Sequence, residues 1–144
     1  MKFCGEESTS DDSLPLLGDL LSDSSNSLKS LSLDFHSCYK ITSEGAQEVA
    51  ERIKKSSFPA VEKLWICFHY ISKLRFDGLY AIAEAISVAF PNVRELVFWS
   101  ELNPRRYYDE NYEFNDKEIQ RKAEAILKEK LKNLLKNFRL GWCE

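Results

Sequence analysis

The sequence predicts an α/β solenoid, in which repeated strand–helix units bury their apolar faces against their neighbours. Two observations carry this prediction. A shift of 33 residues places 61–69 on 28–36 and, without a gap, 77–86 on 44–53. Each strand–helix unit also begins with apolar residues spaced as in L-x-x-L-x-L, with valine, isoleucine or phenylalanine replacing some leucines, and apolar residues at helix period follow them. Solenoids usually bind other macromolecules with one exposed face, so the architecture favours a binding role.

The first element is a helix expected over residues 13–22, which belongs to an incomplete first unit. Three leucines place it in the repeat, each lying 33 positions before an apolar residue of the next helix: Leu16 before Val49, Leu17 before Ala50 and Leu20 before Ile53. The strand of this unit would lie before residue 1 and is expected to be absent. Residues 1–12 are rich in serine and acidic groups, so we expect them to be disordered or a loose cover over the sheet edge.

Three strand–helix units and a closing strand follow, which together with the first helix form one repeat domain over residues 13–142. The strands are expected around Leu31, Leu64 and Leu96, with the closing strand at 135–141. Helix starts have plausible caps at Ser43, Asp77 and Asn115 or Asp116. Residues 99–116 hold an insertion between the third strand and the third helix, and the roughly seven extra residues that it adds to the repeat spacing must bulge outward.

Residues 28–45 read L-K-S-L-S-L-D-F-H-S-C-Y-K-I-T-S-E-G and resemble the leucine-rich repeat family. The variant is the ribonuclease-inhibitor-like class, with repeats especially similar to those of ciliate families, L-x-x-L-x-L-x-F-x-x-C-x-x-I-T-x-x-G. The resemblance covers about residues 13–142 and weakens along the chain, since Ile71 already replaces the cysteine in the second unit. It implies a curved parallel sheet on the concave side, α-helices on the convex side, and partner binding.

Alternation within the strands defines a candidate binding face. Leu31 and Leu33 point into the core, so the residues between them point to the concave side. Neighbouring strands lie about 4.8 Å apart, which places equivalent outward residues in rows across the sheet. The partner-binding residues predicted on this basis are Trp65, Val97 and Arg139 in one row, Cys67 and Trp99 in the next, and Arg106, Tyr107 and Tyr108 in the insertion. Outward tryptophans are typical of binding hot spots; alternatively, the tyrosine-rich insertion folds over them.

Four strands give a face only about 15–20 Å wide, which is smaller than a standard interface of about 800 Å² per partner needs. Binding is then weak, or the insertion adds area, or the chain is a subunit of a larger assembly or a fragment of a longer repeat protein. Unpaired strand edges at both ends of the sheet favour the last of these interpretations.

Composition and motifs argue against several other classes of protein. The net charge of −3 divides into −5 over residues 1–27, −1 over 28–114 and +3 over 115–144, which indicates solvated ends more than a nucleic-acid footprint. The four cysteines have no metal-ligand spacing and no signal peptide precedes them, so we expect reduced thiols and a cytoplasmic location. No apolar run approaches the roughly 18 residues of a membrane span.

Catalysis, a metal site and a cofactor are not expected. His36 and His69 both follow a phenylalanine at the end of a strand, and the repeat explains their spacing without chemistry. Cys38 is expected to pack in the core.

The predicted function is a protein-interaction module or scaffold. One alternative is a regulator of a small GTPase, since leucine-rich repeats of this type also serve as GTPase-activating proteins. Another is nucleic-acid binding by the basic C-terminal helix at 117–137.

Overall fold

The structure, a computed structural model, describes residues 1–6, 8–68, 71, 73–100, 125, 128–129 and 137–141. Its elements in chain order are β1 (Lys2–Cys4), a 3-10 helix (Asp11–Ser13), α1 (Leu14–Asp23), β2 (Ser30–Asp34), α2 (Ser43–Lys54), β3 (Lys63–Phe68), α3 (Phe76–Ala89), β4 (Glu95–Ser100) and β5 (Asn137–Gly141). The described residues therefore form a mixed α/β fold, as the sequence predicts. Residues 125, 128 and 129 are helical, and the rest of the predicted helix at 117–137 lies largely outside the described residues.

All five strands pair in parallel, and their order across the sheet is their order along the chain. A helix lies in each connection from β1 to β4, which is the usual way to join parallel neighbours. Ser30 of β2 aligns with Lys63 of β3, and Lys63 aligns with Glu95 of β4. The closing strand is also present, since Asn137 of β5 aligns with Glu95. The strands predicted around Leu31, Leu64 and Leu96 are thus confirmed.

One face of the sheet packs against the three helices and forms the apolar core. Leu31 and Leu33 are 2% and 4% exposed, as their alternation predicts, and the equivalent residues of β3 and β4 are also buried. Aromatic rings continue this core from β1 to β3. The ring centroids of Phe3 and Phe35 lie 5.4 Å apart, and those of Phe35 and Phe68 lie 5.0 Å apart in a stacked arrangement. This core fixes which side of each strand points away from the helices.

The predicted first helix is present as α1, but a different side of it is buried. Leu14, Leu17 and Leu21 are at most 4% exposed, whereas Leu16 and Leu20 are 72% and 51% exposed. The 33-residue alignment of Leu16 with Val49 and of Leu20 with Ile53 is therefore not matched by burial, since Val49 and Ile53 are buried. The buried leucines lie 32 residues before the buried Ala46, Val49 and Ile53 of α2, so the spacing between these helices is 32.

The first unit also has the strand that the sequence suggested was missing. Lys2–Cys4 forms β1 beside β2, with Lys2 aligned to Ser32. The carbonyl oxygen of Met1 accepts a hydrogen bond from the Ser32 N–H at 2.9 Å, and the Gly5 N–H donates to Asp34 at 2.7 Å. Residues 1–12 were expected to be disordered or a loose cover, and the structure instead gives those it describes a strand and the beginning of a 3-10 helix.

The helix starts differ from the predicted caps by one or two residues. Thr42 is the N-cap of α2, and its hydroxyl oxygen accepts a hydrogen bond from the Gly45 N–H. The N-cap of α3 is Arg75 rather than Asp77. Ser43, the predicted cap of α2, is buried and contacts the start of α3 instead. The predicted caps Asn115 and Asp116 and most of the insertion lie outside the described residues.

Candidate protein-binding face of the sheet

We define the outer face as the side of the sheet that points away from the three helices. Alternation places every second strand residue on it. Ser30, Lys63 and Glu95 lie at its beginning and are exposed, while Ser32 and Val97 are half-buried in the next row. The outer face is therefore partly accessible along β2, β3 and β4.

Strand register brings the predicted residues side by side. Trp65 of β3 aligns with Val97 of β4, and Val97 aligns with Arg139 of β5. Cys67 aligns with Trp99 in the following row. Both rows are those that the sequence predicts. Of these residues the structure describes the side chains of Trp65, Val97 and Cys67, whereas those of Trp99 and Arg139 lie outside the described part.

Trp65 and Val97 form an apolar pair at the centre of the outer face. Both are half-buried, so each presents part of its side chain to solvent. Their α-carbons lie on adjacent parallel strands, which are about 4.8 Å apart, so their side chains stand next to each other. An indole beside a branched aliphatic side chain is a suitable anchor for an apolar group of a partner.

Cys67 does not offer the contact surface that the sequence predicts for it. Its position in the strand is on the outer side, yet it is only 5% exposed. Alternation indicates the direction of a side chain, but neighbouring groups decide how much of it reaches solvent. Cys67 is therefore a buried residue, and it offers little surface to a partner.

An ion pair borders the apolar pair. Lys63 Nζ lies 3.4 Å from Glu95 Oε2, and the two side chains are 64% and 57% exposed. Exposed pairs of this kind contribute little to stability, about 0–1 kcal/mol. A charged rim next to an apolar centre is the usual arrangement of an interface, and such charges affect the rate of association more than the affinity.

The first strand extends the outer face beyond the four strands that the sequence predicts. Lys2 aligns with Ser32, and Cys4 aligns with Asp34. Both residues of β1 are exposed. The sequence signal for this strand is a single apolar residue, Phe3, between two residues that face outward, and that is too short to show an alternating pattern.

Asp34 makes a hydrogen bond with the turn that follows β2. Its Oδ1 accepts a hydrogen bond from the His36 N–H at 3.0 Å, and Ser37 follows with a φ of 59°. Cys38 is completely buried below this turn, as predicted. Burial raises the pKa of the Cys38 thiol, a hydrogen bond with Thr9 acts in the opposite direction, and the charge of Asp34 raises the pKa further. Burial and the charge of Asp34 together keep this thiol protonated near neutral pH.

Three of the predicted partner-binding residues, Arg106, Tyr107 and Tyr108 of the insertion, lie outside the described residues. His69, whose spacing the repeat explains without chemistry, lies outside them as well. In the part of the chain that the structure describes, no three histidine, cysteine or acidic side chains are grouped closely enough to hold a metal ion. Over the same residues, no helix combines the length and apolar character that crossing a membrane requires.

Comparison with known proteins assigns no family to the chain. No family model matches it, and no curated protein matches its sequence.

Proposed function

We propose that this protein is an interaction module that binds a protein partner through the outer face of its sheet. The observation that carries the proposal is the alignment of Trp65 with Val97, both half-buried on the side of the sheet opposite the helices. Anchors of this type are enriched at the centres of protein interfaces. Trp99 and Arg139 belong to the same two rows and would enlarge the contact.

We also propose that the fold is a short leucine-rich repeat solenoid. The pairing of the strands supports it, because neighbouring strands in the sheet are also consecutive in the chain. Aligned residues are spaced regularly, with Lys63 following Ser30 by 33 positions and Glu95 following Lys63 by 32. Asn137 follows Glu95 by 42 positions, consistent with an insertion in the third unit. A solenoid presents the residues of one face as a continuous binding surface.

The size of the outer face limits the affinity that it can provide alone. Five strands span about 19 Å, and strands of five residues are about 17 Å long, so the face covers roughly 300 Å². A stable interface buries about 800 Å² per partner. The proposed partner therefore binds weakly through the sheet alone, or it also contacts residues beyond the sheet.

Replacing Trp65 tests the proposal. Affinity capture from cells that produce the protein, read by mass spectrometry, is compared for the wild type, Trp65→Ala and Tyr39→Ala. Tyr39 is an exposed aromatic residue in the turn after β2, outside the strands that form the outer face, and is the matched control. We expect the wild type and Tyr39→Ala to recover the same partner and Trp65→Ala to lose it.

Thermal unfolding separates a lost contact from a lost fold. Because Trp65 is half-buried, we expect its replacement by alanine to lower the midpoint by no more than about 5 °C. Unfolding of Trp65→Ala under the capture conditions would show that the indole supports the fold. Undiminished recovery of the partner by a folded Trp65→Ala would exclude this side chain as an anchor.

Two other functions remain as alternatives, and neither gains a specific observation from the described residues. A GTPase regulator would accelerate GTP hydrolysis by small GTPases, which a turnover assay measures. A nucleic-acid-binding protein would be retained on RNA or DNA with a strong dependence on salt. Of the basic helix on which the latter depends, the structure describes Ala125, Lys128 and Glu129 as helical, while Asn137 at its predicted end belongs to β5.

A further inference from the structure

Helix α1 exposes two leucines on one side. Leu16 and Leu20 are 72% and 51% exposed, although most large apolar residues among those described are buried. They are four residues apart, so their side chains are neighbours along the same helix face. Single exposed leucines are ordinary on protein surfaces, whereas adjacent ones form a patch that requires an explanation.

These leucines lie on the flank of α1 that faces away from α2. On the flank toward α2, Ser22 Oγ lies 2.6 Å from Ser56 Oγ, and a Cβ at Gly18 would be 2.8 Å from Arg52 Cδ. Leu16 and Leu20 precede Gly18 and Ser22 by two residues each, which is about 200° around an α-helix. The exposed leucines are therefore on the opposite side from the contacts with α2.

The equivalent position in α2 shows what this side of a helix contacts when another helix precedes it. The buried residues of α1 and α2 are related by a spacing of 32, so Leu20 corresponds to Arg52. Arg52 reaches toward the preceding helix, where its Nη1 lies 2.7 Å from Asp19 Oδ1 of α1. Leu20 thus occupies the position from which a helix contacts its predecessor, and its side chain is apolar.

The sheet is open at the same end. β1 is the outermost strand on the side of α1. Because the Met1 carbonyl and the Gly5 N–H both point to β2, the N–H and C=O groups of Lys2 and Cys4 point to the open edge. We call the combination of this strand edge with Leu16 and Leu20 the end face. Its unpaired backbone groups accept an extended segment rather than a helix, so a helical partner would contact the α1 side of the end face.

Acidic side chains predominate on the α1 side of the end face. Asp12 and Asp23 are exposed just before α1 and at its end, and residues 3–28 contain no lysine or arginine, although Asp19 is paired with Arg52 of α2 and Lys2 lies on β1. Two copies of this chain meeting through α1 would bring these carboxylates together, and like charges disfavour such contact. A partner with basic groups beside its apolar side chains complements both the leucines and the carboxylates.

We propose that the end face binds an amphipathic helix of another polypeptide, whose apolar side chains contact Leu16 and Leu20 and whose flanking residues are lysine or arginine. This site is separate from the outer face of the sheet. Its existence does not depend on the function proposed above.

A synthetic helix tests the proposal directly. The probe is a peptide about five turns long, with leucines along one side and lysines on the others. A matched peptide carries glutamate in place of every lysine. Titration of the isotope-labelled protein is followed by NMR. We expect the lysine peptide to shift the methyl signals of Leu16 and Leu20, and the glutamate peptide to leave them unchanged.

Variants of the protein complete the test. Leu16→Gln with Leu20→Gln is expected to weaken binding of the lysine peptide by about tenfold or more, because the apolar contact is lost. Both positions are largely exposed and glutamine is a good helix former, so the double variant should retain its thermal midpoint. Val88→Gln is the matched control, since Val88 is 60% exposed on α3, and it should bind like the wild type.

Three results would overturn the proposal. Equal binding of the two peptides would remove the role of charge. Peptide-induced shifts at Trp65 without shifts at Leu16 would show that the peptide binds the outer face instead. The function proposed for the outer face would then still stand. Concentration-dependent dimerisation of the protein alone, abolished by the double variant in sedimentation experiments, would make a second copy the occupant.

Discussion

The hydroxyl oxygen of Ser43 accepts a hydrogen bond of 2.7 Å from the backbone N–H of Arg75, the N-cap residue of α3. Ser43 is the first residue of α2 and is only 2% exposed. A similar link joins the preceding segments, since Asp11 Oδ1 accepts from the Thr42 N–H at 2.8 Å, and Thr42 is the N-cap of α2. A polar side chain of the preceding segment therefore fixes the start of each of these two helices.

Ser43→Ala should destabilise the protein by about 1–2 kcal/mol, because a buried hydrogen bond at a helix start is removed. Chemical denaturation measures the change. Ser57→Ala is the control, since Ser57 is exposed in the loop after α2, and it should stay within about 0.5 kcal/mol of the wild type. Equal stability of the two variants would mean that the link to Arg75 contributes nothing.

Gly78→Ala should be destabilising although alanine is the better helix former. A Cβ at this position would lie 2.9 Å from the Cα of Ser43, and that backbone atom has little freedom to move. We expect a loss of about 1–3 kcal/mol in the free energy of unfolding. In Gly18→Ala the new Cβ meets only the Arg52 side chain, 2.8 Å away at the flexible Cδ and 3.0 Å away at Cβ.

The Gly18→Ala control should therefore cost less than Gly78→Ala, because the gain of about 1 kcal/mol in helix propensity offsets the adjustment of Arg52. Paired denaturation curves give the comparison. A larger loss for Gly18→Ala would indicate that α1 and α2 are packed more rigidly than α2 and the start of α3.

Ser37→Gly should stabilise the protein. Ser37 has a φ of 59°, in the left-handed region that costs a residue with a Cβ about 1–2 kcal/mol. Glycine removes this cost but adds conformational freedom to the unfolded chain, so the net gain is about 0.5 kcal/mol. Ser57→Gly has no positive φ to relieve and should only lose stability. A loss in both variants would show that the turn after β2 relaxes around Ser37.

Strands were predictable here because one of their faces is buried. Leu31 and Leu33 alternate with serine, and a shift by one residue would expose both, so the pattern determines the register. The rows that place Trp65 beside Val97 and Val97 beside Arg139 follow from the same logic. Exposure was less predictable, as Cys67 shows, because it depends on neighbours that strand periodicity does not identify.

The side of α1 that is buried could not be predicted from its own residues. Leucine occupies positions 14, 16, 17, 20 and 21, so more than one helix face is apolar. Contact with α2 selects the face, since Gly18 allows Arg52 to approach closely. The first strand was missed for a related reason. Its stability comes from pairing with β2, which three residues cannot signal in sequence.

The rates at which Cys4 and Cys38 are alkylated should differ. Thiolate is the reactive form, and burial raises the pKa of Cys38 while also excluding the reagent. The folded state holds this proton more tightly than the unfolded chain does. Protonated Cys38 therefore contributes to stability below about pH 8.5, and the contribution is lost as the pH rises through the pKa of the folded thiol.

At pH 8 we expect iodoacetamide to modify the exposed Cys4 at least about tenfold faster than Cys38, as followed at each site by mass spectrometry. Denaturant is the control, because unfolding should make the two rates similar. Rapid modification of Cys38 in the native protein would mean that residues 1–6 detach from the turn after β2. The Cys38 Sγ lies 3.4 Å from the carbonyl oxygen of Glu6, so that segment covers it only while β1 remains paired with β2.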